Sequence, residues 1–168
     1  MNFWPHQNTK ELVAFYGDPD TNDDGLPDAA WEAKNITRII PPYPMFLAWN
    51  GKPLKTISIH RNCADSLMRS LTRIGNEIPQ DKRAKYGLDQ YGGGYNFRPM
   101  RGLAQLSTHA YGCAIDLAPA QNPLGKNWRQ NSNMMPLDVV DIFRRESWVW
   151  GGNFKGRPDA MHFQAALI

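Results

Sequence analysis

Apolar positions recur at helical spacing most clearly between Cys63 and Ile74. Ala64, Leu67, Met68, Leu71 and Ile74 share one face there. Asn62 stands where a cap belongs, and Gly75 where a left-handed terminator belongs. A second helix is predicted from Pro136 to about Glu146, with Leu137, Val140 and Phe143 on its apolar side. A short third one follows Asp28, its expected cap, through Ala29 to Lys34. Met45–Trp49 and Lys55–Ile59 read as two strands joined by the turn Asn50-Gly51-Lys52-Pro53. Cys113–Leu117 alternates at period two, with Cys113, Ile115 and Leu117 on a core face and Ala114 and Asp116 on the other. Trp148–Phe154 reads as a strand and loop. In the last strand Met161 and Phe163 face the core, and His162 and Gln164 face away from it. Helices and strands mix without regular βαβ alternation, so the expected class is α+β: a mainly antiparallel sheet flanked by a few helices.

Composition narrows this. The 168 residues fit one domain, 1–168, long enough to bury a core. Residues 1–54 are read as a loop-rich extension of the core at about 55–168. Fourteen glycines and thirteen prolines call for many turns. The net charge of +3 lies wholly in residues 85–168, because residues 1–84 balance. That is too sparse for a nucleic-acid reader and suits an acidic substrate or anionic surface. No apolar run approaches the ~18 residues of a membrane span, and Met1–Asn8 has neither a basic n-region nor an apolar h-region. A protein without a standard signal peptide, without membrane insertion and without a nucleic-acid partner is expected, as a monomer. Cys63 and Cys113 make no disulfide framework, and their pairing stays open.

The chemistry gathers around Asp116 and His162. A carboxylate beside Ala114, on a strand whose back is in the core, needs a cation or donors. His109 lies seven residues earlier, past Gly112, where the chain can bend back. His162 projects from the last strand, and Asp159 lies three residues before it. Two imidazoles and a carboxylate suit a catalytic zinc with one position left open. Asp159 is placed to act as general base.

Ser107-x-His109-x-x-Gly112-x-Ala114-x-Asp116, with Asp159-x-x-His162 preceded by Trp150-Gly151-Gly152, resembles the VanY-like zinc peptidases. That family holds D-alanyl-D-alanine carboxypeptidases and the L-alanyl-D-glutamate endopeptidases of phage endolysins. The resemblance covers about residues 95–165. It implies a hedgehog/DD-peptidase-like fold with one zinc on the sheet face, bound by His109, Asp116 and His162, and Asp159 as catalytic base where many members carry glutamate. It also implies an arginine ahead of the motif that polarises the scissile carbonyl or holds a substrate carboxylate. Arg98 and Arg101 both qualify, and Arg98 is preferred because it follows the glycine-rich turn. The implied partner is the peptidoglycan stem peptide. The implied setting is a phage or prophage enzyme made in the cytoplasm and acting on the wall after release.

Substrate contacts are expected from Arg101, Ser107, Trp150 and Gln164, although Ser107 serves equally well to shape its turn. Trp148, Trp150 and Phe154 suit an aromatic wall or, more commonly, core packing. Tyr91–Gly102, with three glycines, reads as a flexible groove-like loop. Asp20-x-Asn22-x-Asp24-Gly25, with Asp28 at the ninth position, matches the first half of a calcium loop. The twelfth position is Trp31 rather than glutamate, which favours a solvated turn.

Overall fold

The computed structural model describes residues 3–168. In chain order it contains α1 (Thr9–Tyr16), α2 (Ala29–Asn35), β1 (Ile36–Ile39), β2 (Phe46–Leu47), β3 (Ile57–His60), α3 (Arg61–Glu77) and α4 (Gln80–Lys85). These are followed by β4 (Gln90–Gly93), β5 (Ala114–Leu117), α5 (Leu137–Arg145), β6 (Val149–Trp150), a 3-10 turn (Gly151–Asn153) and β7 (His162–Gln164). The main sheet has the order β2-β4-β5-β7-β6 and is antiparallel except for the parallel β2/β4 pair; β1 and β3 form a separate antiparallel pair. The class is α+β, as the mixed pattern implies.

The amphipathic faces explain the packing. Leu67, Leu71 and Ile74 of α3 are fully buried, and so are Val139 and Phe143 of α5. Phe143 stacks on Phe163 of β7 at 4.0 Å between centroids, which clamps α5 to the strand that carries His162. Ile115 and Leu117 extend the same core from β5, and Trp4, Leu12 and Tyr16 join it from the N-terminal segment.

Several local expectations are corrected. The first 54 residues are less loop-rich than expected, because α1 forms on a capping arrangement. Asn8 Oδ1 accepts the Glu11 N–H at 3.0 Å, and the Glu11 carboxylate accepts the His6 N–H at 2.9 Å. The Tyr16 hydroxyl then donates to Ala165 O at 2.6 Å and ties the two ends of the chain together. The turn after Trp49 forms, with Asn50 Oδ1 accepting from Lys52 N. The chain returns on β2 only through Lys52–Leu54, with Leu47 N donating to Lys52 O and Leu54 N to Met45 O, both at 2.8 Å; the expected second strand does not continue this hairpin, because Ile57–His60 pairs with β1 instead. His60, not Asn62, caps α3, since its Nδ1 accepts the Asn62 N–H at 3.1 Å. Gly75 lies inside α3 rather than ending it, and an added Cβ would come within 3.1 Å of the Tyr43 ring. Asp28 holds the cap position of α2, but its carboxylate accepts from Thr21 instead of the helix.

The acidic loop is likewise occupied with itself. Asp20 accepts the N–H groups of Asp24 and Gly25, Asn22 Nδ2 donates to Asp24, and Asp28 holds Thr21. Asp20, Asp24 and Asp28 form no group of converging carboxylates among the described residues. The calcium expectation for Asp20, Asn22, Asp24 and Asp28 is therefore withdrawn in favour of a hydrogen-bonded turn. Cys63 and Cys113 are free, buried thiols, and burial pushes Cys63 up to about 12.

Candidate metal centre

Two central strands carry the site. β5 and β7 pair antiparallel with Asp116 directly opposite His162 and Ala114 opposite Gln164. Period-two alternation sends Ile115 and Phe163 into the core and turns the polar pair to the other face. His109 arrives from the turn before β5. Gly112 bends that turn back at φ 65°, and its carbonyl accepts the His60 N–H at 2.7 Å.

His109 Nε2, His162 Nδ1 and Asp116 Oδ1 form a tight triangle with edges of 3.2, 3.3 and 3.0 Å. Among the described residues this is the one group of three or more His, Cys, Asp or Glu side chains whose ligand atoms lie within 4.8 Å of one another. The side chains of His109 and His162 are 5% and 8% exposed, and that of Asp116 is 18% exposed, so the triangle opens on the carboxylate side.

The outer ring nitrogens decide what faces inward. His109 Nδ1 lies 2.7 Å from Gly94 O, which can only accept, so Nδ1 carries the proton. His162 Nε2 lies 3.0 Å from Gln164 Oε1. The orientation of that amide is set by its nitrogen, which donates to Ala166 O at 3.0 Å and to Gln7 Oε1 at 2.8 Å. His162 therefore holds its proton on Nε2. Both inward nitrogens then present lone pairs to an ionised carboxylate, and three acceptors at 3.0–3.3 Å need a cation between them. Zinc–ligand bonds of about 2.0–2.1 Å make tetrahedral edges of about 3.3 Å, so the donor set fits that ion.

Without an ion, the carboxylate and the imidazoles act on one another. Burial raises the Asp116 carboxyl, but hydrogen bonds and attraction from His109 and His162 outweigh it and hold the group well below the usual carboxylate range. Burial alone would lower His162, yet the contact with Asp116 raises it above the ordinary imidazole value. Asp159 shows the opposite behaviour to Asp116: burial pushes its carboxyl above the usual value, against the pull of His162. Its Oδ1 is buried without a hydrogen-bond partner. The backbone holds it in place, with Asp159 N donating to Gly151 O at 2.8 Å and Asp159 O accepting from His162 N at 3.1 Å.

The remaining expected site residues fall elsewhere. Ser107 is buried, and its Oγ accepts the His109 N–H at 3.3 Å, which shapes the turn. Gln164 is 1% exposed and orients His162 rather than facing a substrate. Trp150 is 7% exposed, and its indole donates to Ala160 O, so it is core and not a groove wall. Trp148 is also core, donating to Ser66 Oγ, whereas Phe154 lies 5.9 Å from the His162 ring. The guanidinium of Arg98 donates to Pro99 O at 3.3 Å, and Arg101 is exposed; neither is hydrogen-bonded to the triangle. Two participants carry no legible signal in the sequence. Thr108 Oγ1 sits between His162 Nε2 and Gln164 Oε1, and Gly94 contributes only its carbonyl. Gly92 and Gly93 belong to β4, and Gly94 follows the strand end. At Gly94 an added Cβ would meet the Tyr91 hydroxyl at 2.6 Å, so glycine is what lets this carbonyl reach His109.

Residues 101–165 match the family model described as D-alanyl-D-alanine carboxypeptidase, a stretch that includes Ser107, His109, Asp116, Asp159 and His162. The match supports the VanY-like zinc peptidase family indicated by the motif, and with it a peptidase. No curated protein and no solved structure matches the chain.

Proposed function

We propose that this protein is a zinc-dependent peptidase that hydrolyses a peptide bond of the bacterial peptidoglycan stem peptide, as an L-alanyl-D-glutamate endopeptidase of the endolysin type. The observation that carries the reading is the triangle of His109, Asp116 and His162, whose inward lone pairs call for a divalent ion. When bound, zinc supplies Lewis acidity that polarises the scissile carbonyl and acidifies water.

The chain's own groups do the rest. Gly94 O and Gln164 Oε1 fix the two imidazole tautomers, so the site needs no reorganisation before turnover. The Asp159 carboxylate, through the oxygen that is not sealed in the interior, accepts a proton from the attacking water as the new C–O bond forms. It then returns that proton to the amine nitrogen as the C–N bond breaks. Arg98 has one long hydrogen bond to give up and is the first candidate to hold a substrate oxyanion or carboxylate; Arg101 is the second.

The matched family, described as D-alanyl-D-alanine carboxypeptidase, favours a second reading in which the chain is such a carboxypeptidase. Digesting purified walls and identifying the new ends separates the two. Fresh D-glutamyl amines mean endopeptidase, and released D-alanine means carboxypeptidase. Absence of both products from zinc-loaded protein, or undiminished product after chelation, overturns the proposal.

A further inference from the structure

Gln7 lies 157 positions from Gln164 and outside the matched stretch 101–165, yet the two side chains meet. Its backbone is pinned beside the chain end that follows β7. Gln7 N donates to Leu167 O at 2.6 Å, Leu167 N donates to Pro5 O at 2.8 Å, and His6 pairs parallel with Leu167. The Gln7 side chain is half-buried, and both ends of its amide are engaged. Oε1 accepts from Gln164 Nε2 at 2.8 Å, and Nε2 donates to Met100 Sδ at 3.5 Å.

Neighbours decide which way a primary amide faces. A thioether sulfur has no proton to give, so Met100 draws the nitrogen of Gln7 and leaves the oxygen toward Gln164. Gln164 meets that oxygen with its own nitrogen, which also donates to Ala166 O at 3.0 Å. Its oxygen is then left for His162 Nε2 at 3.0 Å. Three hydrogen bonds therefore run in one direction, each donated away from the metal triangle: His162 to Gln164, Gln164 to Gln7, Gln7 to Met100. Hydrogen bonds in such a chain polarise one another. An amide whose N–H is drawn outward carries more charge on its oxygen. That oxygen then pulls harder on the imidazole N–H, which makes the opposite ring nitrogen a better ligand. The outer end of the chain is fixed as well. Met100 lies in a turn closed by Ser107 N donating to Arg98 O at 3.1 Å and Met100 N to Gln105 O at 2.8 Å, and Gln105 Nε2 reaches Gln7 O at 3.5 Å.

We propose that Gln7 is a positioning residue for the metal centre, acting on His162 through Gln164. It touches neither the ion nor the substrate. It holds the Gln164 oxygen toward the ring and strengthens that oxygen as an acceptor. The role rests on the zinc reading of the triangle for the ion it serves, and it extends the centre to a segment ahead of α1.

The test is zinc competition against a chromogenic chelator, in about 0.5 M salt so that added charge is screened. Gln7→Met keeps the length of the side chain and removes the acceptor. It should weaken zinc about three- to tenfold, less than loss of the amide that touches the ring. Gln7→Glu restores an acceptor for Gln164 and should bind zinc within about twofold of wild type. Asn8→Ala removes the neighbouring cap of α1, whose Oδ1 accepts the Glu11 N–H at 3.0 Å. It should lower the melting temperature of the metal-free protein and leave zinc affinity within about twofold. In the zinc-loaded protein, the proton on His162 Nε2 should resonate further upfield in Gln7→Met and exchange faster with water. Unchanged zinc affinity in Gln7→Met, an unmoved His162 proton, or an equal loss of affinity in Gln7→Glu or Asn8→Ala overturns the role. Digestion of purified walls by the same proteins keeps the two readings apart. Weakened zinc in Gln7→Met beside a zinc-loaded wild type that releases no peptide product retains the role and overturns the peptidase. Wall cleavage by wild type with unaltered zinc affinity in Gln7→Met does the reverse, and a wild type that binds no zinc overturns both.

Discussion

Replacing Gln164 with leucine tests whether the tautomer lock on His162 matters for metal binding. The substitution removes the acceptor 3.0 Å from His162 Nε2 and the donor that reaches Ala166 O and Gln7 Oε1 at 3.0 and 2.8 Å. At 1% exposure, water does not readily take over. Each polar group stranded in the interior costs about 1–3 kcal/mol, partly offset by the apolar gain of leucine, so a net loss of about 2–3 kcal/mol of stability is expected. The effect on the metal is separate. Without Gln164, His162 is free to move its proton to Nδ1, where Asp116 Oδ1 waits at 3.0 Å. That tautomer turns a ligand lone pair into a donor and competes with the ion. Loss of such an outer partner weakens metal affinity about 10–100-fold, or about 1.4–2.7 kcal/mol. The assay is zinc competition against a chromogenic chelator, with thermal melts of the metal-free proteins as the folding control. Thr108→Val, which removes only the long 3.5 and 3.4 Å contacts, should change zinc affinity about twofold or less. A folded Gln164→Leu protein that holds zinc as tightly as wild type refutes the argument that the outer nitrogens organise this centre.

Asp159→Asn should lower kcat about 10²–10⁴-fold while metal content measured by elemental analysis stays stoichiometric; wild-type turnover would remove Asp159 as the base. Glu146 accepts from Arg69 at 2.7 Å, and that hydrogen bond, larger than the opposing effect of burial, holds its carboxyl below the ordinary glutamate value. A lowered folded-state value means the stabilisation is complete above the unfolded value of about 4.3 and is lost as pH falls through the folded one. Glu146→Gln should therefore lower the melting temperature at neutral pH and flatten its decline below about pH 4.5, and a profile parallel to wild type contradicts this. Phe143→Ala should cost about 3–5 kcal/mol in urea unfolding, because the ring is fully buried and stacked on Phe163; a loss under about 1 kcal/mol would show that α5 does not clamp β7.

The parts of the molecule that were legible in the sequence are those whose pattern is local. Leu67, Leu71 and Ile74 announce α3 at helical period, and Ile115 and Leu117 announce β5 at period two. The N-terminal half is a poor text by comparison, because its elements are made by distant partners. β1 is only four residues long and exists because Ile57–His60 pairs with it, and α1 is held by Tyr16 reaching Ala165, 149 positions away. Nothing within a short window specifies either contact. The hairpin expected after Trp49 is cut short for this reason: its turn forms and Lys52–Leu54 pairs back on β2, but the apolar Ile57 and Ile59 are drawn into the core against β1 instead.

The metal centre divides along the same line. Asp116 and His162 become neighbours through one cross-strand register, and side-chain alternation on each strand is enough to put both on the same face. What completes the centre is written differently. The Gly94 carbonyl that sets the His109 tautomer is backbone, and its only trace in the sequence is the missing Cβ that the Tyr91 hydroxyl would otherwise meet at 2.6 Å. Gln164 resembled a substrate contact because it shares a face with His162, yet two residues of strand rise place it directly behind the ring, where it can only support it. Alternation therefore identifies which residues share the face of a sheet, while the depth at which each one stops depends on neighbours that arrive from Gln7 and Ala166. That difference in depth separates a group able to touch a substrate from one able only to aim a ligand.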